Sequence, residues 1–234
     1  MLEHLKTDVL AANLALVREG LVLMTWGNAS AIDRASGHVI IKPSGVAYDA
    51  MKAEDMVVVD LEGNKVEGKL NPSVDTPTHL ALYLAFPDIG GVVHTHSHYA
   101  TCWAQACRPI PCFGTTHADY FHGDVPVTDR MTAMEVREAY EANIGEVIIR
   151  CFRNRDPLSC PAVLVANHAP FTWGKSVAAA VENAFVLEEV ARMALHTVAL
   201  SPTQLAIEDH LLDKHFLRKH GNNAYYGQVG KGDE

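Results

Sequence analysis

Residues 90–100 read GGVVHTHSHYA and set His94, His96 and His98 at alternate positions behind two glycines and two valines. In an extended segment, side chains two apart point to one face, so His94 and His96 offer a pair of imidazoles to one cation. Two ligands are too few for a catalytic zinc-type site, which takes three from the protein and keeps a position open. His168 is the candidate third. It follows the apolar run AVLVAN, where a strand is expected to give way to the loop HAPFTWG, and such strand ends commonly carry function. His98 falls where a helix should begin and reads as a helix-start residue. An HxH pair alone is a weak pattern in a chain with 13 histidines; the core-like entry through Val92 and Val93 strengthens it. A structural zinc would close its shell with four ligands, often cysteines. An imidazole-rich set suits a Lewis acid acting on an oxygen substrate.

Three polar turns supply a second kind of chemistry: TWGNAS (25–30), IKPSG (41–45) and NPSVDTPTH (71–79). Small residues let backbone N–H groups approach an anion, and Lys42 adds a positive charge. The start of a helix at Pro77 adds a favourable dipole. Singly each reads as a turn; together they point to a small phosphorylated ligand. The phosphate-loop pattern GxxxxGK[ST] is absent.

These groups need a scaffold. The chain has 234 residues, 48% hydrophobic and 20% charged, enough for one substantial core. No linker or repeat divides it, so one domain over 1–228 with a short tail at 229–234 is expected. The net charge of −9 argues against a nucleic-acid binder. No apolar run is long enough for a membrane span, and Glu3, Lys6 and Asp8 interrupt any signal-peptide core. The five cysteines form no CxxC pair, which fits free thiols in a cytoplasmic setting.

Apolar spacing predicts helices over 2–19, stopped by Gly20, over 77–86 with Thr76 as cap, through ATCWAQAC, over 175–200, and over 203–220, ending at Gly221. β-Branched runs predict strands at ASAID, HVIIKP, DMVVVDL, GGVVHTH, EVIIR and AVLVAN, with a hairpin turn in LEGNKVEG. Interleaved strands and helices make an α/β class with helices packed on a mixed sheet.

TWGNAS, IKPSG, PSVDTPTH, VHTHS, GTTHADYF, NHAPFTWGK, LLDKHFLRKHG and AYYGQ together resemble the class II aldolase superfamily, and within it the L-ribulose-5-phosphate 4-epimerase family. The resemblance runs from residue 1 to about 228. It implies a three-layer α/β/α fold around a central, largely antiparallel sheet, and a homotetramer with active sites at subunit interfaces. It implies one divalent metal per subunit, zinc in most members, on His94, His96 and His168, with Asp75 as ligand or near-ligand where the related aldolase has glutamate. Gly27, Asn28, Lys42, Ser44, Gly45, Ser73 and Val74 match the substrate and phosphate loops. Asp119 and Tyr226 match an acid–base pair; Tyr226, His215 and Arg218 would come from a neighbouring subunit. The family's phosphate loop commonly reads Ser-Ser-Asp, whereas this chain has Ser73-Val74-Asp75, so a hydroxyl donor is lost there and the N–H kept.

The implied reaction interconverts L-ribulose 5-phosphate and D-xylulose 5-phosphate. The hydrogen on the inverted carbon is not acidic, so the path is retro-aldol cleavage of C3–C4, turnover of the aldehyde fragment, and re-addition on its other face. An aldolase that releases both fragments shares the metal and phosphate loops; Asp75 and the Tyr226 tail favour the epimerase. A non-catalytic scaffold of the same superfamily would have no need of the histidines, Asp75, Asp119 and Tyr226. Arabinose and ascorbate breakdown both pass through this substrate, and no residue chooses between them.

Overall fold

The computed structural model describes residues 2–221, 224 and 225. Helix α1 (Leu2–Arg18) leads into strands β1 (Asn28–Asp33), β2 (His38–Ile41), β3 (Val57–Val59) and β4 (Lys65–Glu67). Then come α2 (Thr76–Ala85), β5 (Gly91–His94), α3 (His98–Gln105), the short α4 (Thr115–Ala118) and α5 (Ala133–Cys151). The hairpin β6 (Ala162–Leu164) and β7 (Pro170–Gly174), the long α6 (Val177–Leu200) and α7 (Asp209–His220) complete the described chain.

The strands form one seven-stranded sheet in the order β4-β3-β2-β1-β5-β7-β6, and every ladder pairing is antiparallel. Alternation sorts the side chains to two faces. Val39, Val57, Val59, Val92, Phe171 and Trp173 pack against Leu80, Tyr83, Ile144 and Ile148 of α2 and α5. Their neighbours Ile40, Val58 and Val93 pack with Val9, Leu16, Val177 and Ala184 of α1 and α6 on the other face. Both faces are thus covered, which gives the three-layer α/β/α arrangement that the family resemblance implies; the mixed sheet expected from the interleaving of elements is corrected to an antiparallel one.

Several local expectations are corrected. EVIIR is not a strand but the last part of α5: Ile144, Val147 and Ile148 are buried at helical spacing, and a capping box of Thr132 and Glu135 starts the helix well upstream. The β-branched run resembles a strand only when read without that start. HAPFTWG is not a loop, because β7 occupies Pro170–Gly174 and buries Phe171 and Trp173. Thr76 is the first helical residue of α2, with Asp75 at the cap position, yet the Asp75 side chain caps nothing. The last helix starts at Asp209 rather than 203, since the segment before it is held extended by the Ile207 N–H donating to the Cys112 carbonyl.

Candidate active site

The sheet brings the histidines together from different directions. His94 ends β5, pairs across to Asn28 and Phe171, and its ring stacks on Phe171 at 4.2 Å. His96 lies beyond the strand, so strand alternation alone does not place it. β5 loses its partner where β7 begins at Pro170, a residue with no N–H to continue the ladder. The chain nevertheless stays close, with the Thr95 N–H on the Pro170 carbonyl at 3.4 Å. His168 sits in the β6–β7 turn, next to Asn167 with its positive φ of 62°.

One ligand atom from each of His94, His96 and His168 lies within 4.8 Å of the other two. The Nε2 atoms of His94 and His168 are 3.3 Å apart. The Nδ1–H of His94 donates to the Pro170 carbonyl at 3.0 Å, which leaves its Nε2 lone pair facing the cluster. Burial, reinforced by the neighbouring imidazoles, pushes His96 down to about 4 and His168 down to about 3; His94 is lowered for the first reason. At neutral pH all three are uncharged, and their lone pairs converge on one volume. That donor set fits a divalent metal, and the close approach of bare nitrogens is what a cation would relieve.

Asp75 is not part of this nitrogen cluster. Its Oδ2 accepts from Asn28 Nδ2 at 2.6 Å. Burial pushes its carboxyl up, but the imidazoles of His94 and His79, the Asn28 amide and His168 outweigh that and hold it below the ordinary range. It stands as a carboxylate lining the same cavity as the three histidines. Beneath it, His79 is fully buried, with Ser30 Oγ 2.7 Å from its Nδ1. The buried Nε2 of His79 and Oδ1 of Asn28 have no partner.

The cluster opens into a cavity of about 550 Å3. Gly27, Asn28, Lys42, Ser44, Gly45, Ser73, Val74 and Asp75 all line it with the three histidines, so these sequence-predicted residues converge. Lys42 is only 2% exposed, and its ammonium has a single, long hydrogen bond of 3.4 Å to the Pro43 carbonyl. A buried ammonium with donors to spare is suited to an anion. The Ser44 and Ser73 N–H groups are committed to the Asn71 and Lys42 carbonyls and tie two loops together. Among the described residues, the N–H groups of Gly45 and Val74 carry no such bond. Gly27 has φ +73°, and a Cβ there would stand 2.8 Å from the His94 carbonyl oxygen; only glycine lets the loop run this close to β5.

Asp119, His215 and Arg218 do not line this cavity. They form a cluster of their own between α4 and α7. Asp119 Oδ1 accepts from His215 Nδ1 and Arg218 Nε, both at 3.0 Å, and Oδ2 from Arg218 Nη2 at 2.7 Å. Tyr226 and the tail at 229–234 lie outside the described residues. Sequence reasoning missed Tyr140 and Glu141, which line the cavity from α5; no motif marks them. A larger cavity of about 820 Å3, between α1 and the start of α6, lies away from the histidine cluster.

The family described as Class II Aldolase and Adducin N-terminal domain matches residues 7–195. The L-ribulose-5-phosphate 4-epimerase UlaF of Salmonella paratyphi B is 56% identical over 227 residues, covering 97% of this chain and all of the relative. The enzyme of the same name from Salmonella typhi shows the same identity and coverage. Among solved structures, an L-fuculose 1-phosphate aldolase superposes with a TM-score of 0.78 at 26% identity, covering 91% of this chain and 94% of its own. With a convergent histidine triad on the matching three-layer fold, the chain belongs to the class II aldolase family.

Proposed function

We propose that this protein is an L-ribulose-5-phosphate 4-epimerase that interconverts L-ribulose 5-phosphate and D-xylulose 5-phosphate by breaking and re-forming the C3–C4 bond. The carrying observation is the shared cavity, lined by three neutral imidazoles together with a buried lysine and the Ser44–Gly45 and Ser73–Val74 turns. That combination suits a substrate that carries both vicinal oxygens and a phosphate. The 56% identity of epimerases over nearly the whole chain supports the same reading.

In this reading His94, His96 and His168 hold a divalent ion, zinc by family resemblance, and three imidazoles with an open position suit it. When bound, the ion supplies Lewis-acid stabilisation of negative charge on the substrate oxygens, worth several kcal/mol. Asp75, kept ionised and oriented by Asn28, sits beside that charge. Lys42, Ser44, Gly45, Ser73 and the Val74 N–H bind the phosphate. Asp119 and Tyr226 are the proton-transfer groups, one for each epimer's C4 hydroxyl. Asp119 is held by Arg218 and His215 of its own chain, outside its own chain's cavity. The three therefore reach a cavity as one unit, from a neighbouring copy in a homo-oligomer, a tetramer by family resemblance. Leu23 (65% exposed), Met24 (80%) and Trp26 (50%) lie next to Gly27 and offer that neighbour an apolar surface. Residues 1–228 are read as one domain. The five free cysteines suit a reducing cytoplasm, and no helix of the described residues is long and apolar enough to cross a membrane.

The test is to incubate purified protein with L-ribulose 5-phosphate. D-Xylulose 5-phosphate should form, and chelator should abolish it. Accumulation of free glycolaldehyde phosphate without xylulose 5-phosphate would make the protein an aldolase instead.

A further inference from the structure

Helix α5 is broken where it meets the cavity. Ala139 has φ −157° and ψ 70°, far from helical values. Breaks of this kind have identifiable causes, and here other residues hold both sides. Asn143 Nδ2 donates to the Glu135 carbonyl at 2.8 Å, the acceptor one turn before the break. Thr78 Oγ1, from α2, donates to the Glu141 carbonyl just after it. Thr78 can reach because α2 and α5 pack closely: a Cβ on Gly145 would stand 2.6 Å from the Ala81 Cβ. The residue that the break turns into the cavity is Tyr140, whose hydroxyl lies 3.2 Å from His168 Nδ1.

We propose that Tyr140 is a positioning residue for the metal centre. Its phenol oxygen accepts the Nδ1–H of His168, fixing the tautomer with the Nε2 lone pair turned toward His94 and His96. His94 receives the same service from the Pro170 carbonyl, and outer partners of this kind hold a ligating imidazole in one tautomer and orientation. His168 sits on a turn rather than a strand, so it has more need of an external brace. The broken helix, braced by Thr78 and Asn143, delivers that brace. This inference rests on the metal-binding reading above.

The experiment measures zinc affinity by competition with a chromogenic chelator, and the visible spectrum of the cobalt(II)-loaded protein, for wild type, Tyr140→Phe and His168→Ala. Tyr140→Phe should bind zinc about 10- to 100-fold more weakly and change the cobalt spectrum, while the melting temperature of the metal-free protein stays put. Wild-type affinity and spectrum in Tyr140→Phe would overturn the proposal, even if turnover fell, since the phenol would then act on substrate. If Tyr140→Phe does not fold, Thr78→Val, which leaves the phenol but frees the Glu141 carbonyl, must also weaken zinc binding; unchanged affinity there overturns it too. A wild-type protein that takes up no zinc would sink the metal reading itself. Zinc uptake lost in His168→Ala but intact in Tyr140→Phe would sink only the role of Tyr140.

Discussion

The Nε2 atoms of His94 and His168 lie 3.3 Å apart although 74 residues separate them in the chain. One sits on the interior strand β5, between β1 and β7, and the other on the turn of the neighbouring β6–β7 hairpin, so the contact exists only once the β5–β7 ladder is made. Metal binding should therefore be linked to folding. Zinc at about 100 times its dissociation constant should stabilise the native state by about 2.7 kcal/mol, seen as a rise in melting temperature that chelator reverses. His168→Ala should lose both the zinc-dependent rise and epimerase activity. A melting temperature indifferent to zinc would contradict the site.

Asp119 and Arg218 make the second long-range pair. Burial works against ionisation of Asp119, but hydrogen bonds from Arg218 and His215, with the charges of Arg218 and Lys219, outweigh it and hold the carboxyl below its ordinary range. Removing Arg218 removes a lowering influence, so the Asp119 pKa must rise. In Arg218→Gln the acid limb of the kcat/KM profile should move to higher pH, apart from any loss in KM. Asp119→Asn should abolish epimerisation with zinc content unchanged. An Asp119→Asn protein that still epimerises would remove that carboxylate from the chemistry.

Much of this was legible in the sequence because motifs report local chemistry. The cavity loops around Gly27, Lys42, Ser44 and Ser73 announce themselves by glycine, serine and lysine within short turns. His94 is legible because it closes an apolar strand. His96 lies beyond the end of β5 at His94, so strand alternation does not by itself bring it to the same point. Helix α5 misled because three β-branched residues in a row carry the same composition in a strand and on a buried helix face; the discriminating signal, the Thr132–Glu135 capping box, lies far upstream. Tyr140 was illegible because its placement depends on a backbone break held by Thr78, a residue on another helix.

Val74 is the chain's departure from the family's usual serine. Its side chain is 63% exposed and lines the cavity, while its N–H and that of Gly45 carry no other bond among the described residues. Under the proposed function, a phosphate here has these two donors even without a hydroxyl at position 74. Val74→Ser adds one charge-assisted donor, worth about 1.5–3 kcal/mol. KM for L-ribulose 5-phosphate should fall by roughly 10- to 150-fold with kcat unchanged. A rise in KM would show that the side chain at 74 does not face the phosphate.

His117 gives a prediction independent of the metal. It is buried in α4, and its Nε2–H donates to the Gly123 carbonyl at 2.9 Å. Burial lowers its pKa to about 4, only partly offset by that carbonyl and by Asp124. Its unfolded value is about 6.5. Between these values the unfolded chain binds the proton and the native one does not, so stability must fall as pH drops from about 6.5 toward 4. The full difference corresponds to roughly 3 kcal/mol. Denaturant midpoints of the metal-free protein should decline over this window. His117→Gln should start less stable, having lost the native Gly123 contact, but show a shallower decline because it carries no titrating imidazole there. Equal slopes in the two proteins would mean that the pH dependence arises from other groups.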